Sequence, residues 1–308
     1  MAKLTIVYPA RGAVIKNGLP GIFIYGAVSP AGGKLLVNGV KTAVYRTGAW
    51  LAYIPAHTGD FDINLSYSAR GKTYTCKSSI FIEKPSHTPA KKAVAREAAY
   101  HKPDFNFTRK QPLNGLKVFV DPGHSPKPTY AGEGKTSPRG IYEHTINYKT
   151  ALAARRALAA LGAKVKLSKP FKEQVLLTQR VERAKAWGAH IFISLHNNSW
   201  PDNVNPLKRK NGFGMYYCYP HAKPLARALE KSYIRHVKQL PSEGIMERDF
   251  FVLRENPQIP AVLIESAYIT LPEHEELLLK PAFIKKLADA IAEGVQIFVN
   301  PKGQNLLK

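Results

Sequence analysis

The sequence predicts two domains: an all-β sandwich of immunoglobulin-like type at the N-terminus, followed by an α/β domain with a mainly parallel sheet covered by helices on both faces. Short strands with turn residues between them fill residues 1–85, a stretch of mixed composition occupies residues 86–113, and apolar strands alternate with helices over residues 114–300. A chain of 308 residues is long enough for two hydrophobic cores. Residues 301–308 form a short tail.

The N-terminal region consists of short runs rich in Val, Ile, Tyr, Phe and Thr, such as KLTIVYP, GIFIYGAV and FDINLSYSA. Turn residues separate these runs at Gly32-Gly33, Asn38-Gly39 and Gly59-Asp60. About seven strands at a spacing of roughly 8–12 residues are typical of a β-sandwich. We interpret this region as a targeting or binding domain.

Residues 86–113 mix Pro, Lys, Ala and His without a sustained apolar face. This composition predicts a linker, with one helical turn around AVAREAAY.

The α/β pattern begins with the strand KVFVDPGH and the helix EHTINYKTALAARRALAALG, which Gly162 ends. Further apolar strands, AHIFISLHNN and PAVLIESAY, follow, and the amphipathic helix PAFIKKLADAIAEGVQIFV closes the region. Continuous apolar strands that alternate with helices indicate a parallel sheet buried on both faces.

The chain is basic: 45 Lys and Arg against 22 Asp and Glu give a net charge of +23. Residues 1–85 carry 10 of these cations and 3 of these anions, or +7. A diffuse positive field suits nucleic acid, an anionic membrane surface or charged wall polymers. The sequence shows no basic helix interleaved with aromatic residues, so no nucleic-acid partner is predicted.

No apolar run reaches the ~18 residues of a membrane span, so no transmembrane segment is predicted. The start, MAKLTIVYPARG, enters a strand without the apolar core of a signal peptide. This start fits a cytoplasmic protein or the mature form of an exported one. Cys76 and Cys218 fall in different predicted domains, so neither a disulfide nor a cysteine-based zinc site is expected.

Metal-capable and acidic side chains follow three apolar strands. His124 follows KVFV, His196 follows HIFISL, and Glu265 follows AVLI. Glu143 opens the first long helix, 19 residues after His124. Ligands of open α/β sheets bind beyond the carboxyl ends of the strands. The sequence therefore brings these four residues to one edge of the sheet.

Two His and one Glu are a suitable set of ligands for a catalytic zinc ion, because three protein ligands leave the fourth position for water. A second carboxylate, Glu265, would then move the proton of that water. Taken alone, His196 could be a capped core histidine, and Glu143 a carboxylate favoured by the helix dipole. Their shared position favours the metal site.

The motifs DPGH (121–124), SLH (194–196) and PAVLIES (260–266), with Glu143 at the start of a long helix, resemble the zinc-dependent N-acetylmuramoyl-L-alanine amidases over about residues 116–299. The resemblance implies that His124, Glu143 and His196 bind Zn²⁺ and that Glu265 is the catalytic carboxylate. It implies peptidoglycan as substrate and action in the periplasm or outside the cell, with a cytoplasmic phage-type lysin as the alternative.

Two other functions remain open at this stage. One is a different zinc hydrolase that acts on wall peptides. The other is a non-catalytic protein that binds the wall or another polyanion through its β-domain. Retention of all four site residues argues against the second.

Three further residues are candidate substrate contacts. Asn197 stands where the family commonly has Ala, Trp200 lies in the polar loop SWPDN near His196, and Arg254 precedes the strand of Glu265. His274 lies in a polar helical stretch, where we expect it to be solvated.

The loop between His124 and Glu143 contains three prolines and three glycines, so it cannot hold a stable helix over the site. Glu133 in this loop could in principle reach the metal, although such a carboxylate is more often solvated. We therefore predict an open site and a monomer that is active without a partner protein.

Overall fold

The computed structural model describes residues 3–16, 20–84, 108, 110–128, 134–202 and 204–300. Most of the predicted linker, including AVAREAAY, lies outside these residues, as do Glu133 and the tail.

The described part of the N-terminal region, residues 3–16 and 20–84, consists of β-strands and the turns between them. Its eight strands are β1 (Lys3–Tyr8), β2 (Val14–Lys16), β3 (Gly21–Ser29), β4 (Lys34–Val37), β5 (Val40–Thr42), β6 (Ala49–Pro55), β7 (Gly59–Ala69) and β8 (Lys72–Glu83). They form a three-stranded antiparallel sheet in the order β1-β3-β6 and a five-stranded sheet in the order β2-β8-β7-β4-β5.

The two N-terminal sheets share one hydrophobic core. Ile24 and Trp50 enter it from the three-stranded sheet, and Leu35, Ile63 and Tyr67 enter it from the five-stranded sheet. All five side chains are fully buried. The immunoglobulin-like assignment of this arrangement stays a prediction.

The second region contains a six-stranded sheet. Its strands are β9 (Lys117–Pro122), β10 (Lys164–Leu167), β11 (Ile191–Asn198), β12 (Phe213–Tyr217), β13 (Ser242–Glu247) and β14 (Ala261–Tyr268). The strand order is β10-β9-β11-β14-β12-β13. Among these neighbours only β12 and β14 are antiparallel, so the mainly parallel sheet is confirmed.

Helices cover both faces of this sheet. They are α1 (Glu143–Ala160), α2 (Leu177–Trp187), α3 (Lys223–His236), α4 (Phe251–Arg254), α5 (Pro272–Leu278) and α6 (Pro281–Val299). Val118 and Val120 pack in the cluster that includes α1, α3 and α6, whereas Phe119 packs in the cluster that includes α2 and α4. This alternation follows from the two-residue period of a strand. None of the described helices has the length and apolar character needed to cross a bilayer.

The two central strands end where the predicted strands AHIFISLHNN and PAVLIESAY end. β11 includes His196 and β14 includes Glu265, and the Cα atoms of these two residues are register partners in the parallel ladder. Both residues lie near the carboxyl ends of their strands, which places them at the same edge as His124 and Glu143.

The prediction that His274 is solvated is wrong. Its side chain is 4% exposed, because α5 packs against the end of β14. Its Nδ1 atom accepts a hydrogen bond of 2.9 Å from the backbone N–H of Tyr268.

Candidate active site

The turn after β9 brings two histidines together. His124 adopts a left-handed backbone conformation, with φ of 61°. Gly123 lies directly under the imidazole of His196, and a Cβ atom at position 123 would approach that ring to 2.3 Å. Glycine is therefore required here, because only an absent side chain leaves room for the ring of His196.

His124, Glu143 and His196 form the one metal-capable group found among the described residues. His124 Nε2 lies 3.1 Å from His196 Nδ1 and 3.1 Å from Glu143 Oε2, and His196 Nδ1 lies 3.4 Å from Glu143 Oε1. Ligand atoms at about 2.0–2.1 Å from a tetrahedral zinc ion are separated by about 3.3 Å. The spacing of these atoms therefore fits zinc.

Glu143 is held from several directions. The side chain of Asn147 donates to its Oε1 atom at 3.1 Å, and the backbone N–H of Asn197 donates to the same atom at 2.9 Å. The backbone N–H of Lys135 donates to Oε2 at 3.3 Å, while Glu143 N–H donates to the carbonyl of Lys135 at 2.9 Å. These bonds fix the direction in which the carboxylate faces the two histidines.

The environment sets the charge of these ligands. Burial raises the pKa of Glu143, but its interactions with His124 and His196 outweigh burial and hold that pKa well below its ordinary value. Burial lowers the pKa of His196, which favours the neutral imidazole that a metal requires. The site therefore presents an ionised carboxylate beside a neutral ring.

Glu265 faces the same cavity. Its Oε2 atom is buried and has no hydrogen-bond partner among the described residues. Burial raises the pKa of Glu265 well above its ordinary value, and the carboxylates of Glu143 and Glu243 raise it further. A carboxyl group in this environment is suited to holding and releasing a proton.

An ion pair supports the turn that carries His124. Arg180 is 1% exposed, and its guanidinium donates to Asp121 Oδ1 at 2.7 Å, to the Pro122 carbonyl at 2.9 Å and to the His124 carbonyl at 2.6 Å. Burial raises the pKa of Asp121, but Arg180 and two serine hydroxyls outweigh burial and lower that pKa. Arg180 therefore secures the strained backbone beside the first histidine.

The four predicted residues line one cavity of about 310 Å³. Its rim combines the basic segment at Lys135 with the apolar side chains of Leu177, Phe250 and Phe251. Its floor is the edge of the sheet at β11 and β14.

The three predicted substrate contacts have different positions. Asn197 lines the cavity, but its side chain donates to Asn147 Oδ1 at 2.8 Å behind Glu143. Trp200 does not line the cavity, although Ser199 does; its ring stacks on Tyr268 with ring centroids 5.1 Å apart. Arg254 does not line the cavity; it is paired with Asp249 and Glu255, and its guanidinium lies 5.3 Å from the ring centroid of Phe251, which does.

Sequence reasoning missed Arg180, Asn147 and Lys135. The sequence of α2 could have indicated Arg180, because this cation lies on the buried face of the helix with Val181 and Ala184. Asn147 lies one helical turn after Glu143, so it could have been found as its neighbour. Lys135 acts through its backbone, and side-chain identity carries no signal for that role.

The chain has relatives among curated proteins. It is 32% identical over 186 residues to N-acetylmuramoyl-L-alanine amidase CwlM of Bacillus licheniformis, an alignment that covers 58% of this chain and 67% of that protein. It is 28% identical over 193 residues to the probable cell wall amidase LytH of Staphylococcus aureus, which covers 63% of this chain and 62% of that protein. The chain thus spans about two thirds of the length of these relatives.

Solved structures match the α/β domain. N-acetylmuramoyl-L-alanine amidase AmiC2 of Nostoc punctiforme matches with a TM-score of 0.55 and 26% identity, covering 61% of this chain and 99% of that one. An N-acetylmuramoyl-L-alanine amidase from Clostridium difficile 630 matches with a TM-score of 0.55 and 28% identity, covering 62% and 100%.

The N-acetylmuramoyl-L-alanine amidase family model matches residues 118–297, which is more than half of the chain and includes all four site residues. The chain belongs to the N-acetylmuramoyl-L-alanine amidase family.

Proposed function

We propose that this amidase hydrolyses the amide bond between N-acetylmuramic acid and the L-alanine of the stem peptide, with zinc held by His124, Glu143 and His196. Glu265 is the proton carrier. The observation that carries the proposal is the convergence of three ligand atoms at zinc-like spacing beside a buried carboxylate, in a chain of this family.

A zinc ion in such a site acts as a Lewis acid, which lowers the pKa of water toward ~7 and polarises a carbonyl group. The chain itself positions the ligands. Asn147 and Asn197 orient Glu143, and the Arg180 guanidinium holds the turn of His124. Mutation of a residue that hydrogen-bonds to a metal ligand commonly lowers metal affinity about 10–100-fold.

Glu265 moves one proton across the reaction. In its ionised form, which the positive charge of a bound zinc ion would favour, it accepts a proton from water as the water oxygen bonds to the lactyl carbonyl carbon. It then donates the proton to the alanine nitrogen as the carbon–nitrogen bond breaks. The products are the carboxylate of the muramic lactyl group and a stem peptide with a free amino terminus.

The names of the relatives, an N-acetylmuramoyl-L-alanine amidase and a probable cell wall amidase, support action at the cell envelope. We propose the periplasm or the extracellular side of the membrane, and a phage-type lysin that accumulates in the cytoplasm is the alternative. Fractionation of the native host with antibody against the chain separates the two.

Digestion of purified wall sacculi tests the reaction, with products identified by mass spectrometry. We expect intact stem peptides that begin with a free alanine. Cleavage inside the stem peptide would identify a different zinc hydrolase. Binding without any release would identify a non-catalytic wall protein. Glu265→Gln is the matched control, because it keeps the size of the side chain and removes its ability to carry the proton.

We further propose that the enzyme is an active monomer, because the loop composition argues against a plugging helix. Purified protein should digest sacculi alone, with light scattering giving the mass of one chain. Activity that appears only with a partner, or only after deletion of residues 126–138, would contradict this.

The net charge of +7 over residues 1–85 supports a contribution of the N-terminal domain to wall binding. Because salt screens exposed charges, we expect binding of the Glu265→Gln protein to sacculi to weaken as salt rises from 0.1 M to 1 M. Binding that is independent of salt would exclude an electrostatic contribution.

A further inference from the structure

An apolar cluster joins the two domains. Its buried members are Phe23, Tyr25 and Leu51 from the N-terminal domain and Tyr268 and Leu271 from the end of the β14 region. All five are at most 4% exposed. This burial removes both faces of β3, the central strand of the three-stranded sheet, from water over most of its length. Such burial is not expected of a domain joined only by a flexible linker.

Polar contacts surround the cluster. The guanidinium of Arg46 is paired with Glu276, with Nε at 3.0 Å from Oε2. The hydroxyl of Tyr45 is hydrogen-bonded to Glu273. Both acidic residues belong to α5, so the N-terminal domain has a defined orientation on the α/β domain.

Tyr8 contacts two segments near the metal ligands, one that precedes Glu143 and one that follows His196. Its hydroxyl donates to Asp202, which follows β11 and Ser199 of the cavity lining. Its ring lies 5.5 Å from the Nζ atom of Lys135, a cation–π contact. The neighbouring ring of Tyr25 stacks on Tyr8, with centroids 5.2 Å apart.

The segment of residues 134–142 connects this contact to the metal ligands. The backbone of Lys135 exchanges two hydrogen bonds with Glu143, while its ammonium group lies over Tyr8. The hydroxyl of Tyr25 is hydrogen-bonded to the side chain of Thr136. Gly134 and Lys135 also line the cavity. One short segment therefore contacts both the N-terminal domain and a metal ligand.

We propose that the N-terminal domain is a fixed support of the active site, in which Tyr8 and Tyr25 are positioning residues that hold residues 134–142 against Glu143. The expected effect on catalysis rests on the proposed function. The expected effect on the order of residues 134–142 does not rest on it, because these contacts exist whatever bond the enzyme cleaves.

The test compares Tyr8→Leu, which removes the ring under Lys135, with Tyr25→Phe, which removes only a hydroxyl. The control is Tyr74→Leu, in the five-stranded sheet on the other side of the N-terminal core. Full-length, metal-free protein is first examined by hydrogen exchange at the amides of residues 134–143. We expect exchange at these amides to be roughly fivefold faster in Tyr8→Leu. Loss of about one net hydrogen bond changes the opening equilibrium by this factor.

The second measurement is zinc retention against a chelator, and the third separates kcat from KM. We expect Tyr8→Leu to retain zinc about 10-fold less tightly, the lower end of the effect of outer partners. Its kcat should fall more than its KM changes. Tyr25→Phe should show the same changes at smaller size, and Tyr74→Leu should show none of them.

Unchanged exchange in both Tyr8→Leu and Tyr25→Phe would overturn the proposal, even in a protein that binds zinc and cleaves the expected amide. Equal changes in Tyr74→Leu would also overturn it, since they would show general destabilisation. If the protein binds no zinc, the proposed function fails, but the exchange result still decides whether the support exists.

Discussion

The two sheets of the N-terminal domain bury their strands differently. In β7 buried and exposed residues alternate, as expected when one face packs on the core and the other meets water. In β3 every residue is buried except Ala27 and Ser29. The second face of β3 is covered by Tyr268 and Leu271 of the α/β domain. A strand that is apolar on both faces therefore indicates a cover outside its own domain.

The same comparison separates the roles of the two domains. The α/β domain contains all the groups proposed to act on the metal and the substrate, whereas the N-terminal domain contacts the segment that holds one of them. Substitutions of the metal ligands and of Glu265 should have the largest effects on zinc binding and hydrolysis. Substitutions in the N-terminal domain, which contacts only the segment beside Glu143, should have smaller effects.

The largest effect is expected for His196→Ala. Loss of one of three ligands should remove both zinc and wall hydrolysis, because the remaining two cannot hold the ion in a catalytic geometry. Elemental analysis and sacculus digestion check this. His190→Ala is the control, since His190 lies at the opposite end of the β11 strand and accepts from the Lys117 N–H. Activity that survives in His196→Ala would contradict the ligand assignment.

Glu265→Gln should keep zinc, and its kcat should fall by a factor of roughly 10²–10⁴. This factor is the usual contribution of general acid–base catalysis. The amide retains the shape of the carboxyl group but cannot accept and return a proton. Zinc content and steady-state rates are measured on the same preparation. Loss of zinc in this variant would show that Glu265 is a ligand instead.

Arg180→Met should lower the free energy of unfolding by about 3–5 kcal/mol, because Asp121 would remain buried without its cation. Urea unfolding measures the change. Arg183→Met is the control on the same helix, because its pair with Glu173 is about one third exposed and screened by water, so its loss should have a much smaller effect. Equal losses in the two variants would contradict the role of Arg180.

His274 should make stability depend on pH. Burial lowers its pKa from 6.5 to about 4. Between these values the unfolded chain binds a proton that the folded chain does not, so the free energy of unfolding falls as the pH is lowered from 6.5 to 4. The full loss is about 3 kcal/mol.

Urea midpoints of wild type and His274→Asn at pH 7, 5.5 and 4 test this. The asparagine oxygen can accept from Tyr268 N–H without titrating, so the variant should lose less stability on acidification. Parallel losses in the two proteins would show that His274 does not carry the effect.

Much of the site could be predicted from the sequence. His124, His196 and Glu265 stand after apolar strands, and parallel strands bring such positions to one edge. The ends of β11 and β14 also agree with the predicted strands AHIFISLHNN and PAVLIESAY. Burial of His274 depends on how α5 packs on β14, which its own polar segment does not reveal.

The contacts between domains lay beyond sequence reasoning. Apolar runs such as GIFIYGAV indicate a covered sheet, but not the element that covers it. The pairing of Tyr8 with Asp202, or of Arg46 with Glu276, joins residues far apart in the chain. Such pairs arise from the packing of two finished domains, and no local pattern encodes them.

The most direct test of the zinc assignment is anomalous scattering at the zinc edge from crystals of the full-length protein. We expect one zinc peak per chain, within about 2.0–2.2 Å of His124 Nε2, His196 Nδ1 and a Glu143 carboxylate oxygen. We expect no ligand bond from Glu265. A peak elsewhere, or a site with no zinc in protein that digests sacculi, would contradict this assignment.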